Sequence, residues 1–401
     1  MDLWLLALCV SRVFLYAVFM VVAAAIPVLV ESWGLTAAGA GSIVSAFTMS
    51  YAASLFVFAF AADRWGARNM AVISGWTSGL AALAFGLFAR DYWSAVIAYG
   101  LAGAFQGGTY TPLIMVLADR TPTERRGTAM GWLIASTSIG YAGSIGLAGW
   151  GLALGGHEAA FLLTGALPLL GAALLHATLW TTPNLIHARP DGIGWIAAFR
   201  ANPDARKLVV GYCSHTWELL GAWAWTPAFL AAAMTLRGAG VAEGAVLASS
   251  IVVVLHLSGA VSAWAGGKLS DRFGRRPVLV ALSLAGGTIS AGLGWLVGLP
   301  VAVLALIVVI HNVLLIGDSP VLSTAITERI EPGHLGAVLA VRALVGFAAG
   351  AAAATVVGLV LDGVRTTGAG EPAAWGLGFM TLAVGGLFAA WMASRLPRLR
   401  R

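Results

Sequence analysis

Seven ionisable side chains fall inside long apolar stretches: Arg12, His215, Glu218, His256, His311, Asp318 and Arg342. A charge at membrane depth is costly, and it is kept where it binds an ion, carries a proton or is paired. Asp318 and Arg342 lie at similar distances from the charged ends of neighbouring stretches, so their spacing allows them to meet. Arg12 and Glu218 are likewise at comparable depth, and the four formal charges cancel. Two readings follow. They form structural ion pairs, or Glu218 or Asp318 takes up a proton while Arg12 or Arg342 holds an anionic group. Burial favours a neutral carboxyl and a paired arginine favours a charged one, so a proton cycle requires the pair to open. His215 is one turn before Glu218 on nearly the same face, whereas His256 and His311 read as helix-contact residues. Trp217, Trp223 and Trp225 surround Glu218 in sequence. They suit stacking on a flat or cationic ligand or simple packing and anchoring, and two of the three are read as packing.

These residues need apolar elements to hold them. The chain has 401 residues, 59% apolar and 10% charged, against about 25% charged in a soluble domain. Mean hydropathy is +0.88. Long unbroken runs argue for helices, since barrel strands alternate over about 10 residues. At about 20 residues per span, twelve are expected: 4–29, 37–60, 70–88, 92–117, 128–154, 159–180, 208–234, 241–264, 278–297, 301–324, 335–361 and 373–393. The fold class is an all-α membrane protein with two six-helix bundles, 1–180 and 208–401, joined by a linker over 181–207. That linker holds Pro183, Pro190 and Pro203, with an apolar stretch at 193–199 suited to a membrane surface. Cys9 and Cys213 both fall in apolar runs, so no disulfide is expected, and no metal site or cofactor. No cleavable leader is read at the start.

Lysine and arginine set the orientation. Counted by loop, 18 lie on one side and 3 on the other, with Arg12 and Arg342 inside spans. The positive-inside rule puts both termini and the linker in the cytoplasm. The net charge of +6 is therefore a loop property, with no nucleic-acid patch. Arginine outnumbers lysine 21 to 2, which suggests GC-rich coding and a bacterial inner membrane.

The halves repeat. Gly267-Lys268-Leu269-Ser270-Asp271-Arg272-Phe273-Gly274-Arg275-Arg276 has a weaker copy in which Asp63, Arg64, Gly66 and Arg68 match Asp271, Arg272, Gly274 and Arg276 at one offset of 208. Thr109-Tyr110-Thr111-Pro112 matches Gly317-Asp318-Ser319-Pro320 at the same offset. A proline within a span removes a backbone hydrogen bond, so the matched prolines are candidate kinks. Gly274 permits the positive φ of a tight turn. Asp271 is placed to face a helix N-terminus. Arg275 and Arg276 are expected to pair with Glu328, and Arg68 with Asp119. Such a cluster would hold one side shut; the plainer reading is loop anchoring.

On these residues the chain resembles the major facilitator superfamily of secondary transporters over its whole length. The family's loop reads G-x-L-a-D-R-x-G-R-[RK]-x-x-L, and 267–279 follows it nearly throughout. In the first copy Ala59, Ala61 and Ala67 replace the leading Gly, the Leu and the first basic residue. The resemblance implies that spans 1, 4, 7 and 10 line a central cavity, which brings Arg12, Gln106, Tyr110, His215, Glu218, His311 and Asp318 to its walls. Drug/proton antiporters of the family carry Gly-Pro in span 5, where this chain has Ser144-Ile145.

The sequence therefore predicts alternating access by a monomer in the lipid bilayer, with a small-molecule substrate near the midplane and protons or another coupling ion as drive. No phosphate-binding G-x-x-x-x-G-K-[ST] occurs, nor H-E-x-x-H or G-x-S-x-G; an enzyme is not expected. A small organic anion or polar metabolite is the preferred substrate. Efflux of hydrophobic or cationic compounds is the alternative, and a non-transporting membrane sensor or assembly protein is the alternative of another class.

Overall fold

The computed structural model of the chain describes residues 2–186, 199–330 and 332–397. The stretch 193–198 of the expected surface segment lies outside these. Among the described residues all regular structure is helical: α1 (Leu3–Leu15), α2 (Val21–Ser32), α3 (Ala37–Trp65), α4 (Ala67–Phe88), α5 (Tyr92–Gln106), α6 (Thr111–Arg120), α7 (Thr123–Leu179), α8 (Pro203–Thr235), α9 (Val241–Phe273), α10 (Arg275–Leu293), α11 (Val301–Arg329), α12 (Pro332–Thr366) and α13 (Glu371–Ser394). Twelve spans result. α1 with α2 makes one broken span and α5 with α6 another. α7 holds two, because Gly155 and Gly156 depart from helical geometry and Gly156 takes φ 68°.

The chain divides into two compact units. The first is Met1–Leu35, Ser42–Pro190 and Val241–Val253; the second is Thr36–Gly41, Asp191–Gly240 and Val254–Arg401.

Within the first unit α7 packs on α1, α2 and α4. Missing side chains allow this. A Cβ at Gly86 would lie 2.7 Å from the Phe161 carbonyl, and one at Gly171 would lie 2.8 Å from the Ser11 carbonyl. Small residues permit close backbone approach where lipid offers no hydrophobic drive between helices.

Within the second unit α10 packs on α13, and α8 on α11, α12 and α13. A buried apolar layer of Leu208, Val209, Leu279, Leu322 and Ile326 closes one end. The first turn of α3 belongs here. Asp362 of α12 accepts the backbone N–H groups of Ala37 and Ala38, each at 2.8 Å. Those are among the donors a helix start leaves without partners.

Candidate functional site

In the first unit, α1 ends at Leu15, residues 16–20 are not helical, and α2 starts at Val21. Backbone groups freed in an apolar interior must find partners, and three side chains supply them. Gln106 Nε2 donates to the Leu15 carbonyl at 2.8 Å. The Tyr99 hydroxyl lies 3.0 and 2.7 Å from the carbonyls of Val18 and Phe19. Ser144 Oγ accepts the Met20 N–H at 2.9 Å. Span 4 breaks beside it, over Gly107–Thr109, with Gly107 N donating to Ser54 Oγ at 2.6 Å.

Arg12 is in the last turn of α1, just before the break, and only 1% exposed. Its Nε donates to Thr137 Oγ1 at 3.0 Å and its Nη2 to the Tyr16 hydroxyl at 3.4 Å. The guanidinium carbon lies 5.1 Å from the Tyr16 ring centre and 4.9 Å from that of Tyr110. Tyr16 in turn bonds the Tyr51 hydroxyl at 3.1 Å and meets Tyr141 edge-on. Nη1 has no hydrogen-bond partner. Among the described residues no carboxylate forms an ion pair with Arg12. A buried cation held by hydroxyls and aromatic faces, with a donor to spare, has the chemistry to hydrogen-bond an anion. Gln106 also keeps a buried Oε1 without a partner.

In the second unit each acid lies beside a histidine. Asp318 Oδ1 lies 2.9 Å from His215 Nδ1; Asp318 Oδ2 accepts from Ser283 at 3.1 Å, and His215 Nε2 meets Ser319 Oγ at 2.9 Å. Glu218 Oε1 accepts from Ser290 at 2.7 Å, and Ser290 Oγ is 2.8 Å from His311 Nε2. The four ionisable groups are 2% exposed or less.

The expected meeting of Asp318 with Arg342 does not occur. Arg342 Nη2 donates to Ser323 at 3.0 Å, with its guanidinium 3.8 Å over the Tyr212 ring. Ser323 is five residues beyond Asp318 on α11, about 7.5 Å of rise, so Arg342 lies nearer the helix end. Glu218 likewise has its partners within the second unit and Arg12 within the first. Glu218 points into its own bundle: Gly386 leaves room for its carboxylate, and a Cβ at Gly286 would be 3.9 Å from it.

All three tryptophans near Glu218 donate within the second unit. Trp217 bonds the Thr381 carbonyl at 2.9 Å, Trp223 the Asn312 Oδ1 at 2.9 Å and Trp225 the Ala354 carbonyl at 2.8 Å. His256 packs edge-on against Trp223.

The repeated loops differ in wiring. Arg275 donates to Glu328 at 2.7 Å, to Ser270 at 2.6 Å and to Asp271. Asp271 thus bonds one turn along its own chain. Gly274 takes φ 90°. Arg276 is half-buried and Arg272 covers Phe273. Gly267 faces open space, whereas at Gly266 a Cβ would fall on the Gly317 carbonyl. Beside this cluster Arg329 pairs with Asp204 at 3.0 Å, a contact that distance in sequence concealed. In the first copy Gly66 takes φ 85°. Arg68 donates to the carbonyls of Leu179 at 2.9 Å and Trp180 at 3.0 Å at the end of α7, where Asp119 had been expected. Arg64 lies over Trp65, and Asp63 is half-buried in the last turn of α3. Asn184 spans the turn, donating to the Trp65 carbonyl at 2.9 Å and accepting from Asn69 N at 3.2 Å. No motif marked Asn184.

A sequence model of the Major Facilitator Superfamily matches residues 8–355. The chain belongs to this superfamily. Its members are multi-pass membrane transporters rather than enzymes. A relative, the "Probable sulfoacetate transporter SauU" of Cupriavidus necator, is 26% identical over 273 residues, 64% of this chain and 61% of the relative. The match thus spans under two thirds of that protein. Among solved structures of the superfamily's fold, a bacterial homologue of the human lysosomal transporter Spinster superposes with TM-score 0.74 at 18% identity, covering 98% of this chain and 95% of that one. A D-xylose–proton symporter gives 0.75 at 14% identity, covering 98% and 96%. At such identities these show the shared fold.

Proposed function

We infer that the chain carries a small organic anion across the bacterial inner membrane by alternating access, driven by protons. The observation that carries this is Arg12: buried, without a carboxylate partner, with one donor unused, and set where two spans break. Discontinuous helices at the midplane are where transporters of this kind bind substrate. Tyr110 covers the guanidinium, and Gln106 offers a second polar group. The similarity to a protein named for sulfoacetate transport agrees with an anion, and makes sulfoacetate the first probe. In this reading 1–180 and 208–401 are the two halves, with 181–207 and both termini cytoplasmic. Asp63, Arg64, Gly66, Arg68 and Asp119 in the first unit, and Gly267, Asp271, Arg272, Gly274, Arg275, Arg276 and Glu328 in the second, are the gating residues at the cytoplasmic end of each unit. Glu218 and Asp318, with His215, carry the coupling protons, and Arg342 is the second anion-facing cation.

Uptake into proteoliposomes with an imposed pH gradient tests the reading, with labelled sulfoacetate in one panel and hydrophobic cations in another. Gradient-dependent sulfoacetate uptake that Arg12→Gln abolishes is the expected result. Movement of the cations alone would overturn it and return the cationic-efflux alternative.

A further inference from the structure

Four ionisable side chains in the second unit are cross-paired between two helices. α8 supplies His215 and Glu218, three residues apart; α11 supplies His311 and Asp318, seven apart. Each set therefore lies on one face of its helix. The two pairs differ in construction. His215 and Asp318 touch directly at 2.9 Å. His311 Nε2 and Glu218 Oε1 are 3.8 Å apart, and the Ser290 hydroxyl of α10 lies between them, 2.7 Å from the acid and 2.8 Å from the ring. Ser290 is fully buried.

A hydroxyl has one proton, so Ser290 cannot donate to both neighbours. In one arrangement it donates to an ionised Glu218 and accepts from the Nε2–H of His311. In the other Glu218 holds the proton and donates to Ser290, which donates to a bare Nε2. Conversion breaks the N–H bond at Nε2 as a new serine O–H forms, and breaks the old serine O–H as the carboxyl O–H forms. No heavy atom has to move. Starting from imidazolium and carboxylate, the result is a neutral ring and a neutral acid. The loaded pair has no net charge and the emptied pair has one negative charge, which a dry interior resists. Around the Glu218 carboxylate lie Gly286 of α10 and Gly386 of α13. The remaining ionisable groups on these helices are His215 and Asp318 one step along, Tyr212 and Cys213 just before them, and Asp204, Arg206, Lys207, Arg275, Arg276, Glu328, Arg329 and Glu371 near helix ends.

We propose that Glu218, Ser290 and His311 form a single one-proton relay that loads and unloads the coupling proton, with Ser290 the positioning residue that joins acid and ring into one site. This rests on the proton coupling inferred above, so its test includes a readout that needs no substrate. Infrared difference spectra of the purified full chain between acid and alkaline pH are recorded in H2O and D2O. A buried carboxyl band lost in Glu218→Gln identifies the acid. Ser290→Ala then shifts that band, because the carboxyl loses its hydrogen bond, and separates its titration from that of the imidazole bands; Ser290→Thr keeps both properties. His311→Gln removes the co-titrating ring bands. In proteoliposomes Ser290→Ala lowers pH-driven sulfoacetate uptake about tenfold relative to sulfoacetate exchange, the loss expected for one bond to a charged group. An unshifted band and unchanged pH-driven uptake in Ser290→Ala overturn the relay. If the spectra behave as expected but the wild type moves no sulfoacetate, the relay stands and the sulfoacetate reading falls. If uptake is proton-driven alike in wild type and Ser290→Ala, the relay falls and coupling stands.

Discussion

Replacing Arg12 with glutamine should stabilise the protein while removing its anion binding. Arg12 is 1% exposed and has no acid to neutralise it. Its compensation is one good hydrogen bond at 3.0 Å, one long one at 3.4 Å and two tyrosine faces near 5 Å. The good bond contributes about 1.5–3 kcal/mol and each ring about 1 kcal/mol. Against them stand a desolvation penalty of several kcal/mol for a buried ion and about 1–3 kcal/mol for the unpartnered Nη1. The balance is a net cost of about 1–3 kcal/mol in the empty protein. Glutamine avoids the charge, and the groups it leaves behind keep partners: Tyr16 has Tyr51 at 3.1 Å and Thr137 has the Leu133 carbonyl at 3.5 Å. Thermal unfolding in detergent is the assay, with and without sulfoacetate. Wild type should gain about 2.7 kcal/mol at a ligand concentration one hundred times Kd. Arg12→Gln should melt higher than empty wild type and gain nothing from ligand. A variant that melts well below wild type would make Arg12 a structural residue and refute the reasoning.

Three further outcomes follow from the geometry. Asp362→Ala removes two 2.8 Å bonds to the start of α3; at about 1.5–3 kcal/mol for each charged bond, discounted for partial exposure, unfolding should come about 2–4 kcal/mol earlier, and Asp362→Asn should recover part of it. Gly266→Ala places a methyl on the Gly317 carbonyl and should cost about 1–3 kcal/mol in a thermal melt, whereas Gly267→Ala, in open space, should be neutral or gain up to about 1 kcal/mol. Asp91 caps α5 by accepting the Ser94 N–H at 2.9 Å, and this bond lowers its pKa below the ordinary 3.8. Its contribution is therefore complete above 3.8 and lost as pH falls through the lower folded value; the acid side of a melting-versus-pH curve should flatten in Asp91→Asn.

The twelve spans, the internal repeat and the motif turn were legible in the sequence because each rests on a local property. Hydropathy is summed over a span, the turn glycines are needed for φ of 85° and 90°, and the expected bond from Arg275 to Glu328 is present at 2.7 Å. The break in span 4 was half-visible, through Pro112. The break in span 1 was not. Residues 16–20 are Tyr-Ala-Val-Phe-Met, without glycine or proline, and what holds them open comes from Tyr99, Gln106 and Ser144, far along the chain. The same gap explains the pairing of the buried charges. Depth along each span made arginine–carboxylate pairs reasonable, but depth carries no rotation. Which face of a helix meets which neighbour is decided by tertiary packing, and here glycines such as Gly386 turn Glu218 inward to Ser290 and His311. Sequence alone named the costly residues; only the packed bundles decided that the acids lie with histidines and the arginines with tyrosines.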